Sequence, residues 1–119
     1  MGRSVCVIVP SIGNAEELGV TLDGLLSQTY SSMEIVVVGP SGDAGKEEAG
    51  SRGVRHIDDR GSKTRADACN VAIEETESEI VLFTDDDVIV PEEWVSNLVR
   101  WFDREEVAGV GGPNFAPVE

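Results

Sequence analysis

The chain has 119 residues, 40% of them hydrophobic, and a formal net charge of −14 at pH 7. This length predicts one domain with a hydrophobic core of its own, and no apolar stretch approaches the ~20 residues of a membrane span. With two lysines among its 9 basic residues and 23 acidic ones, the chain has no basic patch for nucleic acid and would be repelled by an anionic membrane surface.

Apolar runs that are typical of buried strands recur along the chain. Four of them are long enough to form the strands of one sheet, and a fifth strand is expected close to the carboxyl end. The five predicted strands cover residues 4–10, 33–38, 54–57, 80–84 and 107–110.

Helical patterns separate these runs. A turn at 39–43 precedes a short helix that is expected to end at Arg52, and Pro91 is expected at the first position of the last helix. The spacing of apolar residues predicts the buried faces of the other helices. These faces are Leu18, Leu22, Leu25 and Leu26 in the first helix, Ala66, Cys69 and Ile73 in a helix over 65–75, and Trp94 or Val95, Leu98 and Phe102 in the last helix.

The alternation of strands and helices predicts an α/β fold, namely a Rossmann-like, doubly wound and mostly parallel sheet between two helix layers. In such sheets the strand order commonly runs 3-2-1-4, so the first and fourth strands are neighbours. The carboxyl ends of strands one, two and four would then surround one crevice. Residues 11–14, 39–43 and 85–87 would form its walls.

Three consecutive carboxylates, Asp85, Asp86 and Asp87, directly follow the fourth strand. Adjacent carboxylates repel one another, and a divalent cation with oxygen ligands would offset that repulsion. The alternative is a solvated acidic turn with a helix-capping aspartate. The acidic surplus of the whole chain also has two explanations, an adaptation to high salt or an ordinary solvated surface.

The two cysteines, Cys6 and Cys69, have no spacing that suggests a disulfide or a metal site. Reduced, packed thiols are typical of a cytoplasmic protein, and the chain begins without a signal-peptide pattern. We therefore expect a cytoplasmic location. Attachment to the inner face of the membrane would require regions outside this chain.

Several segments resemble, in order and spacing, the inverting family-two glycosyltransferases, whose nucleotide-sugar-binding fold is called GT-A. The resemblance covers essentially the whole chain. A lone DxD motif would be weak evidence, whereas the ordered set is specific. The segments are VIVPS at 7–11, LLSQTY at 25–30, EIVVV at 34–38, DRG at 59–61, ACN at 68–70, FTDDDV at 83–88 with Pro91 and Trp94, and VGGPN at 110–114.

The resemblance implies an enzyme that transfers a sugar from a nucleotide-diphosphate donor to an acceptor with the help of Mg²⁺ or Mn²⁺. Asp87 would bind the cation, and Asp85 or Asp86 would contact the ribose or support the metal through water. Lys63 or Arg65 would add a phosphate contact, unless they only form a solvated helix start. The implied donor-binding residues are Pro10, Ser11, Ile12, Asp43, Lys63, Arg65, Asp85 and Asp86, and the implied metal ligands are Asp87 and Asp85.

Two positions depart from the family's pattern for recognising the nucleotide base. Ile12 stands where the family often has an aromatic residue, and Gly39 where it often has an acidic one. Ile12 cannot stack as an aromatic ring does, and Gly39 has no side chain to accept a hydrogen bond. Asp43 is close to Gly39 but displaced along the loop, so the identity of the base stays open.

In this family the carboxylate that takes the acceptor's proton lies in the second half of the domain. We therefore expect the general base beyond Glu119, and we expect residues 1–119 to be a single nucleotide-sugar-binding domain that forms the amino-terminal part of a longer enzyme. The sugar and the acceptor, whether glycan, lipid or protein, stay open. An exposed sheet edge near Val110 would favour self-association.

Two other classes of protein share features with this sequence. A non-catalytic nucleotide-sugar-binding or scaffold module would share the same crevice. A phosphoacceptor receiver domain is also a parallel α/β unit with an acidic Mg²⁺ pocket, but it needs acidic residues after its first strand and a lysine after its fifth. Pro10 and Ser11 follow the first strand here, and no lysine follows Val110.

Overall fold

A computed structural model describes residues 3–112. Its centre is a sheet of four parallel strands, β1 (Val5–Pro10), β2 (Met33–Gly39), β3 (Arg55–Asp58) and β4 (Ile80–Phe83). The strand order is β3-β2-β1-β4, which confirms the predicted doubly wound arrangement with the first and fourth strands adjacent. β-Branched residues fill both central strands, as expected for strands covered on both faces.

Helices cover both faces of the sheet. They are α1 (Ala15–Leu26), α2 (Ala44–Ser51), α3 (Arg65–Glu74) and α4 (Trp94–Val99), and a 3₁₀ turn at Arg100–Asp103 continues α4. One core cluster joins the sheet to α1, α2 and α4, and a second joins it to α3. The molecule therefore has the predicted three layers.

The register brings the carboxyl ends of the strands to one edge of the sheet. Pro10 lies opposite Val38, and Gly39 lies opposite Asp58. The first backbone amides beyond β1 and β3 continue this pairing, since the Ser11 amide donates to Val38 and the Asp59 amide donates to Gly39, both at 3.0 Å. The loops that follow β1 and β3 consequently begin on either side of the carboxyl end of β2, so two of the three predicted walls, at 11–14 and 39–43, start side by side.

The buried face of α3 differs from the prediction. Ala68 and Ala72 face the sheet, whereas Ala66 and Ile73 are exposed and Cys69 is only half-buried. The two alanines lie one turn apart and pack against β1 and β2, so their small side chains let the helix approach the sheet closely. Ile73, the largest apolar residue of the helix, is left at the rim.

The last helix begins later than predicted. Pro91 is not helical, and α4 starts three residues on, where the Trp94 amide donates to the Pro91 carbonyl at 3.1 Å. The carbonyls of Pro91 and Glu92 also accept hydrogen bonds from Gln28 and from the Thr29 amide. These contacts hold the segment before α4 against the end of α1, so that this segment does not become part of α4.

The strand predicted at 107–110 does not form in the described structure. Three of the six residues at 107–112 are glycine, which has little tendency to form strands and offers no side chain to pack. β4 is therefore an outer strand of the sheet, and its Phe83 is 51% exposed instead of buried on both faces. Self-association through an edge near Val110 stays a prediction.

Among residues 3–112, no helix has both the length and the apolar character needed to cross a membrane.

Candidate functional site

The acidic turn and the loop after β1 are joined at the crevice by one carboxylate. The Ser11 hydroxyl donates to Asp86 at 2.8 Å, and the Asn14 side-chain amide donates to the same carboxylate at 3.2 and 3.3 Å. Asp86 is only 6% exposed. Its oxygens are therefore occupied by protein donors, and the residue acts as a link between two walls of the crevice.

Asp85 points towards the start of α3. Its carboxylate accepts from the Arg65 guanidinium at 2.6 Å, and both side chains are partly exposed. A pair this exposed contributes little stability, because water and ions screen it. The pair does bring Arg65 to the acidic turn, so a cationic side chain lies beside it; the predicted phosphate contact of Arg65 stays a prediction.

Asp87 is exposed, and within residues 3–112 its side chain takes part in no hydrogen bond or ion pair. The three carboxylates thus point to different surroundings, and in the described part of the chain no three acidic, histidine or cysteine side chains converge on a common point. Divergence already relieves the repulsion that the sequence suggested a cation must offset. It leaves Asp87 as the member of the triplet whose oxygens are available.

Asp43, on the second wall of the crevice, caps α2 and holds the first loop. Its carboxylate accepts from the amides of Gly45 at 3.1 Å and Gly13 at 3.2 Å. The first bond satisfies an amide at the beginning of α2. The second fixes the loop after β1, so Asp43 lies at the crevice as predicted, with part of its acceptor capacity already used.

Ile12 and Gly39, the two residues that depart from the family's pattern, have different structural settings. Ile12 is 67% exposed on the loop after β1. A β-carbon at Gly39 would lie 2.1 Å from the Ser11 carbonyl oxygen, a distance that excludes any side chain with this backbone. The loop after β1 therefore fills the space that an acidic side chain would need at position 39.

A further carboxylate at this edge, Asp58, was not predicted as a site residue. It accepts from the amide and the hydroxyl of Ser41 at 3.2 and 2.9 Å, and from the Arg60 amide at 3.3 Å. The Ser41 hydroxyl bond is the main cause that lowers the pKa of Asp58 below its ordinary value. The sequence signal was an aspartate directly after the strand predicted at 54–57.

Within residues 3–112, the other residues of interest near this edge are not linked to its loops by side-chain hydrogen bonds. Lys63, predicted to contact phosphate, is exposed in the loop before α3 and forms no ion pair within residues 3–112. His56 lies on β3, where burial, followed by the nearby charge of Lys46, lowers its pKa. Pro10 ends β1 and begins the first loop.

The segment after the acidic turn is held by two polar residues that were not predicted as site residues, Thr21 of α1 and Gln28 just beyond the end of α1. The Thr21 hydroxyl donates to the Val88 carbonyl at 2.7 Å and accepts from the Val88 amide at 3.1 Å. Gln28 donates to the Pro91 carbonyl at 2.7 Å and accepts from the Val95 amide at 2.9 Å. The available signal was a threonine on the otherwise apolar buried face of α1 and a glutamine two residues after the helix ends.

The arrangement can bind a small anionic ligand together with a cation. It combines one available carboxylate, a neighbouring arginine, and loop backbones at the carboxyl ends of parallel strands, where α/β sheets commonly bind ligands. Its own carboxylates would repel an anion unless a cation reverses the local charge.

Several solved structures are similar to this chain. A mannosyltransferase from Pyrobaculum calidifontis in complex with GDP-Man and Mn²⁺ has a TM-score of 0.83 and 25% identity over 90% of this chain. Glucosyl-3-phosphoglycerate synthase from Mycobacterium tuberculosis, with Mn²⁺, UDP-glucose and phosphoglyceric acid, has a TM-score of 0.76 and 20% identity over 88% of this chain. TarS from S. aureus in complex with UDP has a TM-score of 0.70 and 23% identity over 93% of it.

The chain spans 34%, 41% and 38% of the lengths of these three structures. No curated protein matches it significantly. Residues 6–117 match the sequence profile of the family described as glycosyl transferase family 2. Since this match covers nearly the whole sequence, the chain belongs to glycosyl transferase family 2.

Proposed function

We propose that this chain is the donor-binding part of a metal-dependent, inverting glycosyltransferase. The observation that carries the proposal is the exposed Asp87 carboxylate, which lies between two anchored residues at the carboxyl-end crevice. Membership of the family and the nucleotide-sugar and Mn²⁺ complexes of similar structures support it.

Asp87 fits a hard divalent cation, either Mg²⁺ or Mn²⁺. Its oxygens are available, whereas those of Asp86 are occupied by Ser11 and Asn14. One carboxylate suffices where diphosphate oxygens and water complete the coordination. When bound, the cation supplies the charge that neutralises the departing nucleoside diphosphate. Asp85 would support it through water after giving up part of its contact with Arg65.

The donor's diphosphate would lie beside Arg65, which is already held near the acidic turn by Asp85. Lys63, exposed in the loop before α3, would add a second positive charge. Ser11 and Ile12 would line the nucleoside side of the crevice, next to Pro10. Asp43 would contribute only the acceptor capacity that its two backbone amides leave.

The charge of the whole molecule also supports the proposed metal dependence. With a net charge of −14, the chain repels an anionic donor at a distance. A bound divalent cation reverses the sign locally, so we expect nucleotide binding to depend steeply on Mn²⁺ or Mg²⁺.

We propose that the acceptor wall and the general base lie outside these 119 residues, which would form the amino-terminal part of a longer glycosyltransferase domain. The support is that similar structures are more than twice as long as this chain. Without those parts, water is not excluded from the crevice and no group takes the acceptor's proton. The chain alone should therefore bind a nucleotide weakly and transfer no sugar.

Calorimetric titration of UDP and GDP with and without Mn²⁺ tests the proposal. Wild type should bind at least one of them more tightly with Mn²⁺, and Asp87→Ala should lower that affinity by at least about tenfold. Asp103→Ala, at an exposed aspartate on the 3₁₀ turn, is the matched control and should bind like wild type.

Equal affinity of wild type and Asp87→Ala would remove the metal-binding role of Asp87. A turnover assay with a panel of nucleotide sugars and Mn²⁺ addresses the second half of the proposal. Transfer by the unaltered chain that Asp87→Ala abolishes would show a complete enzyme and would contradict the donor-binding-part interpretation.

A further inference from the structure

Thr21 is a fully buried polar residue that connects α1 to the end of the acidic turn. Its single hydroxyl satisfies both backbone groups of Val88, donating at 2.7 Å and accepting at 3.1 Å. Val88 directly follows Asp87 in the chain. The position of Asp87 is thus restrained from its carboxyl side by a contact that is far away in sequence.

The rest of the same face of α1 extends this contact. Residues 21 and 24 lie at i and i+3, which places them on one side of the helix, and Gln28 follows two residues beyond its end. A β-carbon on Gly24 would lie 3.0 Å from the Val90 side chain, so only glycine lets the segment approach without displacement. Gln28 then binds the backbone of Pro91 and Val95. The segment that leaves the acidic turn is therefore fixed along α1.

The amino side of Asp87 is restrained as well. Asp86 is bound by Ser11 and Asn14, which belong to the loop after β1. Both chain neighbours of Asp87 are consequently held while its own carboxylate is exposed. This arrangement presents one side chain on a fixed backbone, so the backbone at Asp87 loses little further conformational freedom when the carboxylate binds a ligand.

We propose that Thr21 is a positioning residue for the cation-binding carboxylate of Asp87. The inference rests on the function proposed above and adds a residue that the triplet itself does not contain. The Thr21 hydroxyl acts through the backbone of Val88 and touches neither donor nor cation. Hydrogen bonds that orient metal ligands typically change metal affinity by about ten- to a hundredfold when they are removed, and we expect a contact that acts through the adjacent backbone to lie at the lower end of that range.

The test compares Thr21→Val, which keeps the shape of the side chain and removes the hydroxyl, with Thr21→Ser, which keeps the hydroxyl. Mn²⁺ affinity is measured by electron paramagnetic resonance, with the metal alone and with UDP or GDP. Because the many carboxylates also bind Mn²⁺ weakly, the specific part is defined as the part that Asp87→Ala abolishes. Val54→Ala, a buried position just before β3 at the other end of the sheet, controls for a general loss of stability.

Thr21→Val should weaken specific Mn²⁺ binding by about tenfold, whereas Thr21→Ser should stay within about twofold of wild type. Val54→Ala should bind Mn²⁺ like wild type despite its cavity. Amide hydrogen exchange at Val88 should accelerate in Thr21→Val and stay slow in Thr21→Ser. If Thr21→Val does not fold, Thr21→Cys, whose thiol is a weak hydrogen-bonding group, should show the same loss to a smaller extent.

Specific Mn²⁺ binding that is unchanged in Thr21→Val, or in Thr21→Cys where that variant replaces it, would overturn the inference and leave the proposed function intact. An equal loss in Val54→Ala would also overturn it, because stability alone would then explain the effect. A wild type that binds nucleotides without any contribution from Mn²⁺ would contradict the proposed metal site and this inference together.

Discussion

At the scale of single residues, Gly39 shows how backbone packing limits what the crevice can contain. A β-carbon there would meet the Ser11 carbonyl at 2.1 Å, and neither backbone can yield independently because the Ser11 amide is bound to Val38. The departure from the family's acidic residue is thus built into this loop. Under the proposed function, recognition of the base would use groups other than a side chain at position 39.

Gly39→Ala should lower the free energy of unfolding by about 2 kcal/mol, the usual scale for a side chain inserted where there is no room. Gly50→Ala is the matched control, since a β-carbon at this position in α2 has nothing within 4 Å. It should raise the free energy of unfolding by roughly 0.5–1 kcal/mol, because alanine is the better helix former. Urea denaturation measures both, and a Gly39→Ala variant as stable as wild type would contradict the close packing.

Asp58 provides a pH-dependent test at the same scale. The Ser41 hydroxyl lowers its pKa in the folded state, so its contribution to stability is present above the unfolded pKa and is lost as the pH falls through the folded value. Ser41→Ala should raise the pKa of Asp58 towards the ordinary value, as followed by NMR of the carboxyl carbon. Ser51→Ala, whose hydroxyl contacts only its own helix region, should leave it unchanged. An unaltered pKa in Ser41→Ala would show that the hydroxyl bond is not the main cause.

At the scale of elements, the strands were predictable because each is a nearly uninterrupted apolar run. β1 and β2 are covered on both faces, so their burial leaves a strong pattern in the sequence. Their order followed from the rule for doubly wound sheets, and it brought the loop after β1 and the acidic turn together as expected.

The helices show where such reasoning fails. The apolar spacing in α3 favoured Ile73, but the close approach of the helix to the sheet selected Ala68 and Ala72, and that distance is a property of the packed structure. The expected strand at 107–110 had two valines, but Gly109 lies between them and two more glycines follow, so the segment offers few side chains to pack. Two apolar residues alone did not make a strand.

The candidate site was predictable only in part for the same reason. The sequence indicated which carboxylates follow β4, but their different roles depend on partners about 20 to 75 residues away, namely Arg65 for Asp85 and Ser11 for Asp86. The Thr21 contact with Val88 spans 67 residues and has no local signature. Hydrogen bonds between distant elements become visible only once the fold is known.

At the scale of the whole molecule, the acidic surplus exceeds what local ion pairs can balance. The arginines at 52 and 60 each contact two carboxylates, yet 23 acidic residues face only 9 basic ones. Repulsion among the remaining charges destabilises the compact state, and salt screens it over about 10 Å at 0.1 M and about 3 Å at 1 M. Stability should therefore rise with ionic strength.

The melting temperature should increase between dilute buffer and 1 M KCl. Relief of about 1 kcal/mol of repulsion corresponds to roughly 4 °C for a domain of this size. A Glu77→Lys, Glu105→Lys variant, changed at two exposed positions, should show a smaller rise because each change removes one negative charge and adds one positive charge. A melting temperature that does not respond to salt would show that the acidity is incidental to folding.

The central claim, that a cation binds at Asp87 in a crevice formed by β1, β2 and β4, is tested most directly by NMR with Mn²⁺. Trace Mn²⁺ added with UDP or GDP to ¹⁵N-labelled protein broadens the amides nearest to the bound ion. We predict that broadening centres on residues 85–88 and on the loop after β1, and that Asp87→Ala removes it. Broadening spread evenly over the acidic surface, or centred elsewhere and unaffected by Asp87→Ala, would contradict the account.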